Sequence, residues 1–144
     1  MADTDHFRKL ERMYHDSPCN DYYDPTLEIR EGEATLTIPV DESMHHAAGG
    51  VHGATYFKAL DDAAFFAVNS LVEDVFVLTA NFSLYLTRPV AEGHVRAEGR
   101  IATRTGQQFI GESVVYDAED TEIARGSGTF FRSDVELRPE IGYE

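Results

Sequence analysis

A chain of 144 residues with 42% hydrophobic content is long enough to close one substantial core, and the reading is a single domain over 1–144. Acidic residues outnumber basic ones 26 to 12, a formal net charge of -14, which argues against nucleic acid or an anionic membrane as a partner. The one cysteine, Cys19, excludes an internal disulfide framework and a cysteine-based zinc site.

In chain order, residues 3–16 place Phe7, Leu10 and Tyr14 at helical spacing, with Asp3, Thr4 or Asp5 available as cap and Pro18 as a stop. Residues 1–20 are therefore expected to form a helical N-terminal extension. The polar, acidic start shows no leader, and no apolar run reaches membrane-spanning length, so the cytoplasm is the expected location. Ser17 to Pro25 is rich in turn formers. Leu27 and Ile29, then Ala34, Leu36, Ile38 and Val40, alternate with polar residues across Glu31-Gly32, which predicts a hairpin. A glycine-rich loop, Gly49-Gly50-Val51-His52-Gly53, then leads into a helix expected over about 53–71 and apolar on nearly every side.

After Val72-Glu73-Asp74 the period changes from helical to alternating. Phe76, Leu78, Ala80, Phe82, Leu84 and Leu86 mark one long strand ending at Arg88-Pro89, with Thr79 and Asn81 expected together on its polar face. Three further strands follow: one through Val95 to Ile101, one near 108–117 and one over 121–132, joined by short turns. Ala124, Gly126 and Gly128 are expected to admit a closely packed helix. Residues 133–144 read as a tail, expected to be frayed over Arg138 to Glu144. The expected fold is α+β, with a sheet of about five to six antiparallel strands wrapped around one long helix.

That helix carries Asp61 and Asp62, and carboxylates are rarely buried unless paired or used. Gly53 opens it, where a backbone N–H without an intrahelical partner favours a negative oxygen; the glycines would equally serve a tight turn. Asp61 lies eight residues on, about 12 Å along the axis. One small reacting group cannot touch both, so a shared site requires two antiparallel copies of the helix. Lys58 is expected to pair with Asp62 at i,i+4 and, at i,i+3, to lower the pKa of Asp61 and keep it ionised. Thr79 reads either as strand filler or as the holder of a water molecule. His45, His46 and His52 lack metal-ligand spacing, and no metal or cofactor is expected. His52 is expected to brace the loop, with His46 further out.

Five segments taken together carry a resemblance: Gly50-Val51-His52-Gly53-Ala54, Leu60-Asp61-Asp62-Ala63-Ala64, Val77-Leu78-Thr79-Ala80, Leu86-Thr87-Arg88-Pro89-Val90 with Gly93, and Ala124 to Phe130. Over roughly 33–132 the chain resembles the hotdog-fold acyl-CoA thioesterases, nearest the phenylacetate-degradation branch. The resemblance implies a hotdog fold paired into homodimers, and into tetramers as dimers of dimers. It implies hydrolysis of an acyl-CoA to free CoA and a carboxylic acid. Asp61 then corresponds to the base or nucleophile, Gly53 to the oxyanion-hole amide and Thr79 to a water-orienting hydroxyl. His46 stands where this branch usually has asparagine, and Ala54 where a second glycine is more common. His52, Ala54 and Asn81 fall among the substrate contacts. The phosphates of CoA call for a cationic patch, with Arg88, Arg96, Arg100, Arg104 and Arg125 as candidates. Tyr56, Phe57, Phe65, Phe66 and Phe82 are candidate pocket aromatics or simply core. Two rivals remain: a non-catalytic acyl-CoA binding module on the same fold, and a hotdog hydratase or dehydratase.

Only Lys9 and Lys58 are lysines; the other ten basic residues are arginines. The acidic surface suits either a high-salt environment, where screening relieves self-repulsion, or an ordinary acidic protein.

Overall fold

The computed structural model describes residues 3–144; Met1 and Ala2, part of the polar start read above, lie outside the described residues. Helix α1 (Thr4–His15) begins at Asp3, whose side chain accepts from the His6 amide, and presents Phe7, Leu10, Met13 and Tyr14 inward. A single turn, α2 (Asn20–Tyr23), follows. The hairpin β1 (Thr26–Arg30) and β2 (Glu33–Pro39) turns at Gly32, whose φ of +72° suits glycine. The glycine loop then delivers the chain to α3 (Gly53–Asn69). Strands β3 (Val75–Leu86), β4 (His94–Thr105), β5 (Gln108–Tyr116) and β6 (Glu122–Glu136) complete one antiparallel sheet ordered β1-β2-β4-β5-β6-β3. This is the hotdog architecture, six strands around a central helix.

Helix α3 sits close to the sheet because both surfaces are small where they meet. Ala59, Ala63, Ala64 and Ala67 are fully buried. A Cβ on Gly99 of β4 would lie 2.3 Å from the Ala63 backbone, and one on Gly111 of β5 would lie 3.2 Å from the Ala64 carbonyl oxygen. Ser113 Oγ adds a hydrogen bond to the Leu60 carbonyl at 2.7 Å. The glycines expected for this role, Gly126 and Gly128, instead make room for Phe82 and the β3 backbone.

Strand β3 does not alternate as its sequence predicts. Its register against β6 slips between Thr79 and Asn81, so the alternation does not run unbroken. Thr79 pairs with buried Phe130 and faces the helix, whereas Asn81 pairs with Thr129 on the outer face. The two do not share a face. Val77 is fully buried, while Leu78 is 52% exposed.

The two sheet edges differ. Along β1, α1 supplies side-chain partners: Ile29 N–H donates to Glu11 Oε2 at 2.7 Å, Leu27 N–H donates to His15 Nε2 at 3.1 Å, and Arg8 donates to the Ile29 carbonyl. Along β3 no described strand pairs on the outer side. The expected tail is also more ordered than read. Strand β6 runs to Glu136, a 3₁₀ turn spans Pro139–Ile141, and the Tyr143 hydroxyl lies 2.8 Å from Nδ1 of buried His6.

Candidate active site

The loop before α3 is fixed at both ends. The His52 amide donates to the Met44 carbonyl and the Val51 amide to the Val90 carbonyl, both at 2.8 Å, and the Tyr56 hydroxyl donates to the Arg88 carbonyl at the same distance. His52 is the N-cap, its Nδ1 accepting from the Ala54 amide at 2.9 Å. The Thr55 amide donates back to the His52 carbonyl. Of the three opening amides, only that of Gly53 has no partner among the described residues. A developing anion finds there a fixed donor at the positive end of a 17-residue helix.

His46 Nδ1 accepts from the Ala48 amide at 3.1 Å, and its Nε2 lies over Gly50, 3.3 Å from where a Cβ would stand. With Nδ1 accepting, the neutral ring carries its proton on Nε2, as a donor. No hydrogen bond links His46 to Gly53 or Asp61. Among the described residues no three His, Cys, Asp or Glu side chains gather as for a metal ion.

Two turns further along α3, Thr79 Oγ1 of β3 donates to Asp61 Oδ1 at 2.8 Å. Burial pushes the Asp61 carboxyl up to about 6; the Thr79 bond opposes this, Asp62 adds to it and Lys58 has the smallest effect. Lys58 therefore does not hold Asp61 at an ordinary carboxylate pKa, because its ammonium is committed elsewhere. It contacts Asp62 Oδ2 at 2.7 Å, and the Tyr14 hydroxyl donates to that same oxygen at 2.6 Å. The ammonium also stands over the rings of Tyr14 and Tyr23, at 5.3 and 5.1 Å. Burial and Asp62 raise the Tyr14 pKa far above its ordinary value, so its phenol remains a donor.

Asp61 lines a cavity of about 170 Å³ with Phe65, Phe66, Phe76, Met13 and Tyr14. Of the five aromatics considered from sequence, Phe65 and Phe66 are here. Tyr56 is buried at the helix start, and Phe57 stacks edge-on against Phe82 at 5.9 Å. Met13, Tyr14 and Phe76 are the contributors that the sequence reading missed. The apolar stripe of α1 held the signal for Met13 and Tyr14, but it reads identically for plain core. A larger hollow of about 680 Å³ lies on the outer face of the sheet, among Tyr85, Tyr116 and ion-paired arginines. It lacks a desolvated carboxylate.

Among the arginine candidates, Arg96 pairs with Asp120 and Glu98, Arg100 with Glu112, and Arg125 with Glu122. Arg88, after β3, and Arg104, opposite Phe109 near the β4–β5 turn, have no carboxylate partner among the described residues. Ala54 is exposed on the first turn of α3, and Asn81 is exposed beyond the β3 bulge; neither contacts Asp61.

Asp61 and the unpartnered Gly53 amide thus lie about 12 Å apart along one helix, inside a six-stranded hotdog sheet. Residues 48–124, more than half of the chain, match the family model described as the thioesterase superfamily, and the chain belongs to that family. A candidate esterase of Saccharolobus solfataricus is 24% identical over 102 residues, which span 71% of this chain and 68% of that one. Among solved structures, the Escherichia coli PaaI protein from the phenylacetic acid degradation operon superposes with a TM-score of 0.85 at 18% identity, covering 94% of this chain and 99% of that one. A thioesterase from Haemophilus influenzae gives 0.77 at 16% identity, covering 87% and 88%. At these identities the superpositions show the shared fold. No described helix is long and apolar enough to cross a membrane.

Proposed function

We propose that this protein hydrolyses acyl-CoA thioesters, with Asp61 as the group that activates water. The observation that carries the reading is the Asp61 carboxyl itself: desolvated, held by Thr79, raised to about 6 and set in a small cavity that Phe65, Phe66 and Phe76 share with the Lys58–Asp62 pair. A base with that affinity is ionised at neutral pH yet takes a proton readily. Water attacks the thioester carbon as its proton passes to Asp61. The Gly53 amide and His46 Nε2–H receive the oxyanion. Collapse breaks the C–S bond, the proton returns to the departing thiolate, and CoA and a carboxylic acid leave. Direct attack by Asp61, through an acyl anhydride that water then opens, gives the same products.

The proposed working unit is a homodimer. Gly53 and Asp61 are about 12 Å apart on one helix, so Asp61 of one copy must face Gly53 of another. The unequal edges favour this, since β1 is covered by α1 whereas β3 is open and flanked by exposed Leu78, Tyr85 and Leu86. Pairing of such dimers into a tetramer is part of the proposal. Arg88 and Arg104 are assigned to the CoA phosphates because they alone among the candidates are free of carboxylates; His52, Ala54 and Asn81 are assigned to neighbouring substrate contacts. The proposed location is the cytoplasm, where acyl-CoA is made and consumed.

The test is release of free thiol from a panel of short, long and aromatic acyl-CoAs. Wild type is expected to turn over at least one, and Asp61→Asn to lose about 10²–10⁴-fold in kcat. Tight acyl-CoA binding with no thiol release would favour the binding module instead.

A further inference from the structure

The N-terminal helix does more than cover the β1 edge. Its last turn puts Met13 and Tyr14 into the wall of the Asp61 cavity, opposite Phe65, Phe66 and Phe76. That turn is pinned from several directions. Ser17 Oγ donates to the Met13 carbonyl at 2.9 Å, and Asn20 Nδ2 donates to the Tyr14 carbonyl at 2.7 Å. The Tyr14 ring packs edge-on against Phe66 at 5.1 Å, and its hydroxyl is locked to Asp62 and thereby to Lys58. A wall built this way yields little when a ligand presses on it. The cavity opens to solvent, and its volume, about 170 Å³, is close to that of an apolar cavity of about 150 Å³ that accepts benzene, a six-carbon guest.

Resting on the thioesterase reading, we propose that α1 is the end wall of the acyl pocket, with Met13 and Tyr14 as the specificity-determining residues that restrict the acyl group to roughly six carbons. Longer chains would have to displace a segment held by hydrogen bonds, an ion pair and ring contacts. Chain selection therefore lies in a segment outside the 48–124 family match, which makes it separable from the catalytic residues.

The experiment has two readouts on the intact protein. The first is kcat/KM for butyryl-, hexanoyl-, decanoyl- and palmitoyl-CoA with wild type and Met13→Ala. Wild type is expected to fall at least tenfold between hexanoyl and decanoyl, and Met13→Ala to raise the decanoyl-to-hexanoyl ratio about tenfold, since removing the thioether arm gives the chain room for several methylenes. The second uses Asp61→Asn, so that the ligand persists and little thiol is released. Cys19 lines the same cavity and is exposed, so hexanoyl-CoA is expected to slow its alkylation by iodoacetamide at least fivefold relative to acetyl-CoA, which carries no free thiol. Protection of Cys19 without thiol release from any substrate by wild type would overturn hydrolysis and leave the pocket assignment standing. Asp61-dependent hydrolysis with equal decanoyl and hexanoyl rates and no protection would overturn the end wall and leave hydrolysis standing.

Discussion

The Thr79 hydroxyl reaches across from β3 to α3 and donates to Asp61 Oδ1 at 2.8 Å. That bond works against the burial that raises the Asp61 carboxyl to about 6. It fixes one oxygen of the carboxylate and leaves Oδ2 without a partner among the described residues. An account in which Thr79 positions Asp61 differs from one in which it orients water, and the pH profile separates them.

With Asp61 acting as a base, kcat/KM rises with pH and levels off above about 6. Thr79→Val removes a donor that favours the ionised form. The midpoint should move upward, activity at pH 6 should drop severalfold, and most of the rate should return on the alkaline plateau. Thr79→Ser should restore the wild-type midpoint. A Thr79→Val enzyme equally slow at every pH would assign the hydroxyl to the water instead.

The same carboxyl weakens the fold at neutral pH. Its folded-state pKa lies above the unfolded value of 3.8, so its protonated form is the one the fold prefers. The stability it contributes is full below about pH 3.8 and lost as pH rises through about 6. At ~1.4 kcal/mol per decade of proton affinity, the cost at pH 7.5 is up to about 3 kcal/mol. Asp61→Asn keeps an acceptor for Thr79 without the charge. It should unfold at higher denaturant concentration than wild type at pH 7.5, with the difference shrinking towards pH 4.

Gly99 tests how closely α3 and the sheet approach. A Cβ there would sit 2.3 Å from the Ala63 backbone, and backbone cannot swing aside as a side-chain end can. Gly99→Ala should cost at least about 3 kcal/mol or prevent folding. Gly53→Ala meets only the Leu86 Cδ1 methyl, at 3.1 Å, and should fold. Urea denaturation of the pair measures the contrast.

What the sequence made legible followed from period and punctuation. Leu36 and Ile38 alternate cleanly and are buried; His52 and Gly53 mark the start of α3; the Lys58–Asp62 pair forms at the expected spacing. The failures share a cause, which is that local pattern does not say what packs across. Leu78 and Ala80 look like core in an alternating run, but the slip before Asn81 exposes Leu78 and turns Thr79 inward. Gly126 and Gly99 are alike in sequence, yet only Gly99 meets the helix. The Asp61 pKa depends on burial beneath residues 48 and 47 positions earlier, Met13 and Tyr14, which spacing from Lys58 could not reveal.

The central claim is a thioester site assembled from Gly53 of one copy and Asp61 of another. Gly53→Pro removes the amide proposed to receive the oxyanion and should spare the helix, because proline suits the first helical position and His52 already has an extended backbone with ψ of 145°. Alone, Gly53→Pro should lose about 10²–10³-fold in kcat, and Asp61→Asn should be equally poor or worse. The decisive measurement is thiol release after the two are unfolded together and refolded as a mixture. Random pairing makes half of the dimers mixed, each with one intact site of two, so about a quarter of wild-type activity should return. A mixture that stays as inactive as its components, beside an active wild type refolded in parallel, would contradict the shared site.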